Sequence, residues 1–117
     1  MIDDDRDVLE STAFLLPALG YECTVFAAAD HFLGEAPTLA PGCILTDLRM
    51  PAMDGFELAS AIRQRALDWP ILMMTSDNGP ELEQRVRDGG FAALLRKPVD
   101  GDLLADALDR AFAALDA

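Results

Sequence analysis

The chain has 117 residues, 51% of them apolar, enough to bury one core and too few for two, so one domain over residues 1–117 is expected. Nine basic against twenty-one acidic residues leave a net charge of −12, which repels phosphate backbones and anionic lipid and argues against direct nucleic-acid binding by this domain. No run approaches the roughly 18 apolar residues that cross a bilayer, and the acidic N-terminus is the reverse of a signal peptide, so a cytoplasmic protein with no membrane attachment is expected.

Only Met1 and Ile2 precede the first acidic cluster, Asp3-Asp4-Asp5. Val8, Leu9, Ala13, Leu15, Leu16 and Leu19 then recur at helical spacing up to Gly20, a helix stop, with Asp5 placed to cap the start. Pro17 falls late in that helix, where its missing N–H and its ring kink or shorten the last turn. Predicted strands over 22–27, 43–47, 70–75 and 91–95 alternate with helices over 29–36, 55–66, 80–88 and 102–115. Such alternation describes parallel strands joined by right-handed crossovers, a doubly wound α/β sheet whose five-stranded order 2-1-3-4-5 keeps the first strand near its centre. A central strand takes about five or six residues, so here the first strand is expected to be truncated or missing. Three explanations stand open: a start lying upstream, a shortened variant with an incomplete sheet, or a strand lent by another chain as in a swapped dimer. The first is preferred.

Cys23 and Cys43 fall in apolar, strand-like contexts with no second thiol or histidine at metal-ligand spacing, and are expected to be reduced core residues. His31, the only histidine, sits on the polar side of a short helix and is expected at the surface. Phe14, Phe32, Phe56, Phe112 and Trp69 fit core or edge packing better than a stacking platform for bases.

Three apolar runs end in polar groups: Ile2 before Asp3-Asp4, Leu45-Thr46 before Asp47, and Leu94-Leu95 before Arg96-Lys97; a fourth closes at Thr75. Buried parallel strands deliver such groups to their C-terminal edge, where open α/β sheets build their sites. Carboxylates about 5 Å apart at an effective dielectric near 20 repel by roughly 3 kcal/mol per pair, so Asp3, Asp4 and Asp47 together call for a cation. All-oxygen ligation favours Mg²⁺, with Mn²⁺ able to substitute and zinc disfavoured for want of Cys or His. Asp47, at the end of a strand and the start of the loop over 48–54, is the candidate nucleophile, since carboxylates form aspartyl phosphates. Lys97 would supply a point charge and Thr75 a hydroxyl donor to phosphoryl oxygens.

On these residues the chain resembles the receiver domain of two-component response regulators. The matching pieces are Asp3-Asp4, the segment Thr46-Asp47-Leu48-Arg49-Met50-Pro51 followed by Met53-Asp54-Gly55, the hydroxyl of Thr75, and Lys97-Pro98; the wording of the middle segment is most similar to regulators with a helix-turn-helix output domain. The resemblance implies a flavodoxin-like (βα)5 fold and a phosphoryl group received on Asp47 from a sensor histidine kinase or phosphotransfer protein. It further implies Mg²⁺ among Asp3, Asp4, Asp47 and the backbone carbonyl of Arg49, a cis Lys97-Pro98 peptide, an inward movement of Thr75, and an altered surface on the fourth helix, fifth strand and fifth helix. An output domain or a homodimer would read that surface, and the apolar stretch around 92–95 is a candidate for the dimer.

The chain also departs from the family pattern. Leu94 stands where an aromatic rotamer switch is usual, so coupling is expected to be weaker or to use another element. Arg49 and Asp77, two residues beyond Asp47 and Thr75, are expected to pair across the mouth of the site and slow the entry of hydrolytic water. Two alternatives belong to other classes. A phosphorylation-independent interaction module is kept open by Leu94 and the short start. A Mg²⁺-dependent phosphohydrolase would want a second acid where Arg49 stands, together with a cap domain, and is disfavoured on both counts.

Overall fold

Three short apolar runs form the ladder of the sheet: β1 (Ile44–Asp47), β2 (Ile71–Thr75) and β3 (Ala93–Arg96), parallel and in the order β1-β2-β3. They belong to a computed structural model that describes residues 1–116, the last of them by its backbone alone. Every residue of β1 and β2 is buried, as strands covered on both faces require. The register runs from Ile44 opposite Ile71 to Asp47 opposite Met74, and from Leu72 opposite Ala93 to Thr75 opposite Arg96.

Side chains alternate across this sheet and sort the helices into two layers. Leu45, Leu72, Met74 and Leu95 face α1 (Arg6–Ala18) and α5 (Gly101–Asp116), packing with Leu9, Leu16, Leu104 and Leu108. Ile44 and Ile71 face the opposite way onto α2 (Ala29–Glu35) and α3 (Gly55–Gln64) through Phe32, Leu33, Leu58 and Ile62. Met73 joins Leu48, Leu82 and Val86 beneath α4 (Pro80–Asp88), with Leu94 packed at the margin. This is a doubly wound flavodoxin-like arrangement.

The two places of the sheet beyond β1 are occupied without forming strands. Ile2, fully buried, makes isolated parallel bridges to Thr46 on one side and Phe26 on the other. Its N–H donates to the Leu45 carbonyl at 2.8 Å and its carbonyl accepts from Asp47 N–H at 2.9 Å, while Phe26 N–H donates to the Met1 carbonyl at 2.9 Å. The lateral order is therefore Phe26, Ile2, β1, β2, β3, which is 2-1-3-4-5 with the first two positions reduced to single bridges. The strand predicted over 22–27 is corrected accordingly: it is an extended segment that meets the sheet at Phe26, with Glu22, Thr24 and Val25 exposed. Past Ile2 the neighbouring stretch turns toward α1, and the pairing ends with the Asp3 N–H donated to the Phe26 carbonyl at 3.1 Å. Tyr21 ties this segment to α5 instead, stacking on Phe112 at 5.3 Å and donating its hydroxyl to Asp109.

Local signals set the helix ends. Asp5 caps α1 by accepting from Asp7 N–H at 2.9 Å and Val8 N–H at 3.3 Å. Pro17 lies inside the final turn and α1 stops at the next residue, with Gly20 at φ +93° behind it. Asp54 and Glu57 form a reciprocal capping box at α3. A Cβ on Gly55 would lie 2.9 Å from the Asp47 carbonyl and 2.8 Å from the Met73 side chain, so glycine lets α3 start directly against the end of β1.

Cys23 and Cys43 are half-buried and not joined by a disulfide, and His31 is exposed. Phe14 corrects the expectation of core packing: it is 85% exposed, because Leu9 and Leu16 face the sheet and Phe14 lies on the opposite side of α1. Around 92–95 only Ala92 is exposed, while Leu94 and Leu95 turn inward. No helix among the described residues is long and apolar enough to cross a membrane.

Candidate functional site

Ile2, β1, β2 and β3 all point their C-terminal ends to one edge of the sheet, and Asp3, Asp47, Thr75 and Lys97 are the residues at or just beyond those ends. Asp3 is fully buried, Asp47 is 7% exposed and Thr75 is 1% exposed, whereas Asp4 is open to solvent. One carboxylate oxygen from each of Asp3, Asp4 and Asp47 lies within 4.8 Å of the others.

Lys97 joins the two buried acids. Its Nζ lies 2.9 Å from Asp3 Oδ2 and 3.1 Å from Asp47 Oδ1, and Asp3 Oδ1 accepts from Asp5 N–H at 3.0 Å. Lys97 N–H donates to the Thr75 carbonyl at 2.8 Å, which fixes the residue just beyond the end of β3, and the Lys97-Pro98 peptide is cis. The hydrogen bonds and charges of Asp3 and Asp47 outweigh burial and raise the Lys97 pKa, so the side chain is cationic at neutral pH. Burial, reinforced by the Asp3 charge, pushes the Asp47 carboxyl above its ordinary range; Lys97 and a backbone hydrogen bond from Leu48 offset part of that shift. A single cation thus faces three carboxylates. The all-oxygen donor set, buried at Asp3 and Asp47 and open to solvent at Asp4, fits a small hard divalent cation.

Further contacts position the loops around these groups. The Thr46 hydroxyl donates to the Asp47 carbonyl at 2.9 Å. Thr75 Oγ1 accepts from Asp77 N–H at 3.1 Å. Arg49 donates from Nε at 3.0 Å and Nη2 at 2.7 Å to Asp77 Oδ2, so the expected pairing of these two side chains is present, with the Arg49 side chain 77% exposed. On β3, Arg96 donates to the Asp77 carbonyl and lies 3.6 Å from Glu83 on α4.

Of the residues the sequence puts forward, the structure brings Asp3, Asp4, Asp47 and Lys97 together, with Thr75 at the end of the neighbouring strand and Arg49 paired to Asp77. Thr46 and Arg96 make contacts there that the sequence does not announce. Thr46 reads as an ordinary strand former. Arg96 reads as part of a basic dipeptide; the overlooked signal was its place two residues beyond Leu94, on the same face of β3.

Comparison with known proteins agrees with this geometry. Residues 1–109 match the model of the response regulator receiver domain family. Transcriptional regulatory protein FixJ of Bradyrhizobium diazoefficiens is 35% identical over 96% of this chain and 55% of its own length. DNA-binding transcriptional regulator NtrC of Klebsiella pneumoniae is 31% identical over 96% of this chain and 24% of its own length, so the chain spans about half or less of these relatives. Among solved structures, chemotaxis protein CheY4 of Vibrio cholerae superposes with a TM-score of 0.85 at 30% identity, covering 94% of this chain and 93% of that one.

Proposed function

The chain belongs to the response regulator receiver domain family, and on that premise we propose that Asp47 receives a phosphoryl group from a sensor histidine kinase or a phosphotransfer protein. The observation that carries this reading is the meeting of Asp47, Asp3 and Lys97 within 3.1 Å contacts at one sheet edge.

In the transfer, an Asp47 carboxylate oxygen forms the new P–O bond as the P–N bond to the donor histidine breaks, and the leaving nitrogen keeps the electron pair. Lys97 turns from the Asp47 carboxylate to a phosphoryl oxygen, and the Thr75 hydroxyl donates to another. Asp3, Asp4, Asp47 and the backbone carbonyl of Arg49 would hold Mg²⁺, or Mn²⁺ in its place. Bound there, the ion supplies charge neutralisation for the carboxylates and the incoming phosphoryl group. Thr46 holds the Asp47 carbonyl, and Gly55 admits the start of α3 against it.

Residues 1–117 act as one signalling unit, a phosphoacceptor and not an enzyme, in the cytoplasm where such kinases donate. An attached output domain or a second copy of the chain is the reader of the switched surface. The place where a phosphohydrolase would carry its second acid is taken by Arg49, whose side chain is committed to Asp77.

Acetyl phosphate or phosphoramidate with Mg²⁺, read by intact mass against Asp47→Asn, tests the proposal. We expect a Mg²⁺-dependent gain of one phosphate that Asp47→Asn abolishes. A folded wild-type chain that gains nothing would overturn the reading in favour of a phosphorylation-independent interaction module.

A further inference from the structure

We propose that Asp77 and Arg96 form a polar relay through which phosphorylation of Asp47 moves α4, in place of an aromatic side chain on β3; this rests on the receiver reading above.

Asp77 is the junction of three links. Its N–H donates to Thr75 Oγ1 at 3.1 Å, its carbonyl accepts from the Arg96 guanidinium, and its carboxylate is held by Arg49. The first link engages a lone pair of the Thr75 hydroxyl and leaves the hydroxyl proton free to be donated. A phosphoryl group on Asp47 would bring strong acceptor oxygens to the strand beside Thr75, since Asp47 is registered opposite Met74, the residue before it. When Thr75 donates to those oxygens, Asp77 is drawn with it through the 3.1 Å bond, and the carbonyl that Arg96 holds moves too.

Arg96 is placed to pass that movement on. It is registered opposite Thr75 in the β2–β3 ladder, and the strand alternation puts it on the same face as Leu94, which packs beneath α4 with Leu82 and Val86. Its Nη2 lies 3.6 Å from Glu83, in the first turn of α4. Leu94 has no polar atom to sense the hydroxyl. The guanidinium does, because one fork donates to the loop that follows Thr75 and the other faces α4. Arg96 is therefore a positioning residue that couples the site to the helix without touching the phosphoryl group.

Hydrogen–deuterium exchange over residues 80–88, measured before and after phosphorylation of the whole chain by phosphoramidate and Mg²⁺, with intact mass recorded in parallel, tests this relay. The wild type is expected to change its exchange over α4. Arg96→Met should take up phosphate to the wild-type extent, keep the change around 75–78, and lose at least half of the change over α4. Arg96→Lys, which restores one donor, should recover part of that loss, and it decides the question if Arg96→Met does not fold. A full α4 response in a folded Arg96→Met, or no response over α4 in a phosphorylated wild type, would overturn the relay while leaving the receiver reading intact. A wild-type chain with no mass gain removes that reading and the relay with it, and the mass shows this before any exchange is read.

Discussion

The two halves of the sheet are held by different means. β1, β2 and β3 share continuous ladders, and the nine residues of β1 and β2 are buried to the last, so backbone pairing and apolar packing set their positions. At Ile2 and Phe26 the pairing shrinks to one bridge on each side. The site straddles this boundary: Asp47 ends a laddered strand, Asp3 follows a bridge, and Lys97 on the laddered side reaches both. An ion pair here completes what the ladder leaves undone. Lys97 fastens Asp3 to the sheet and prepares the pocket for a phosphoryl group with the same contacts.

Cutting that fastening should have the largest effect. Lys97→Met leaves Asp3, fully buried, without its cation and should destabilise the fold by about 4 kcal/mol at pH 7, the usual scale for breaking a buried pair. Chemical denaturation measures this, and a loss near zero would mean that Asp3 is held by backbone alone. Ile2→Ala attacks the same boundary from the apolar side and should cost about 3 kcal/mol, as truncation of a fully buried aliphatic does. If the cost were only a few tenths, Ile2 would contribute to the sheet order and little to stability.

Asp47→Asn runs in the opposite direction. Because burial and Asp3 raise the folded-state pKa of Asp47, its stabilising contribution is complete below the ordinary carboxylate pKa and is lost as pH rises through the raised value. At pH 7 without divalent cation the variant should be more stable by about 1 kcal/mol, because the cost of burying the Asp47 charge, with the Asp3 repulsion added, outweighs the Lys97 attraction lost with it. That corresponds to a melting temperature higher by about 4 °C. The gap should close as pH falls toward 4 and also when Mg²⁺ is added; a gap independent of both would contradict the electrostatic account. Arg49→Ala should be the mildest in stability, within about 0.5 kcal/mol, because the pair it breaks is exposed. Its signature is kinetic: a phosphoryl lifetime shortened about threefold, from about 0.7 kcal/mol less protection against water. An unchanged lifetime would remove any guarding role for the Arg49–Asp77 pair.

The laddered half was legible in the sequence because each strand is an apolar run closed by a turn or a polar residue. The residues 43–47 and 70–75 place Asp47 and Thr75 at the sheet edge, and Pro80, Asp54 and Gly55 mark the helix starts. The bridged half was not. The residues 22–27 carry β-forming types, yet whether they ladder depends on a neighbour that leaves the sheet at Asp3, which is a property of the partner and not of the segment. Ile2 alone carries no period, and its place is legible only through the order 2-1-3-4-5, which sets a shortened first strand beside β1. Phe14 is core-like by type but out of phase with Leu9 and Leu16 on α1, and the acceptor of Arg96 is a backbone carbonyl, which no residue type announces.

The most direct test of the account is to phosphorylate the wild-type chain with Mg²⁺ and phosphoramidate, reduce the product with borohydride, and map the modified peptide by mass. An aspartyl phosphate at the head of the loop after β1 predicts homoserine at position 47 and nowhere else. Homoserine at another carboxylate, or none in a folded and phosphate-treated chain, would contradict it.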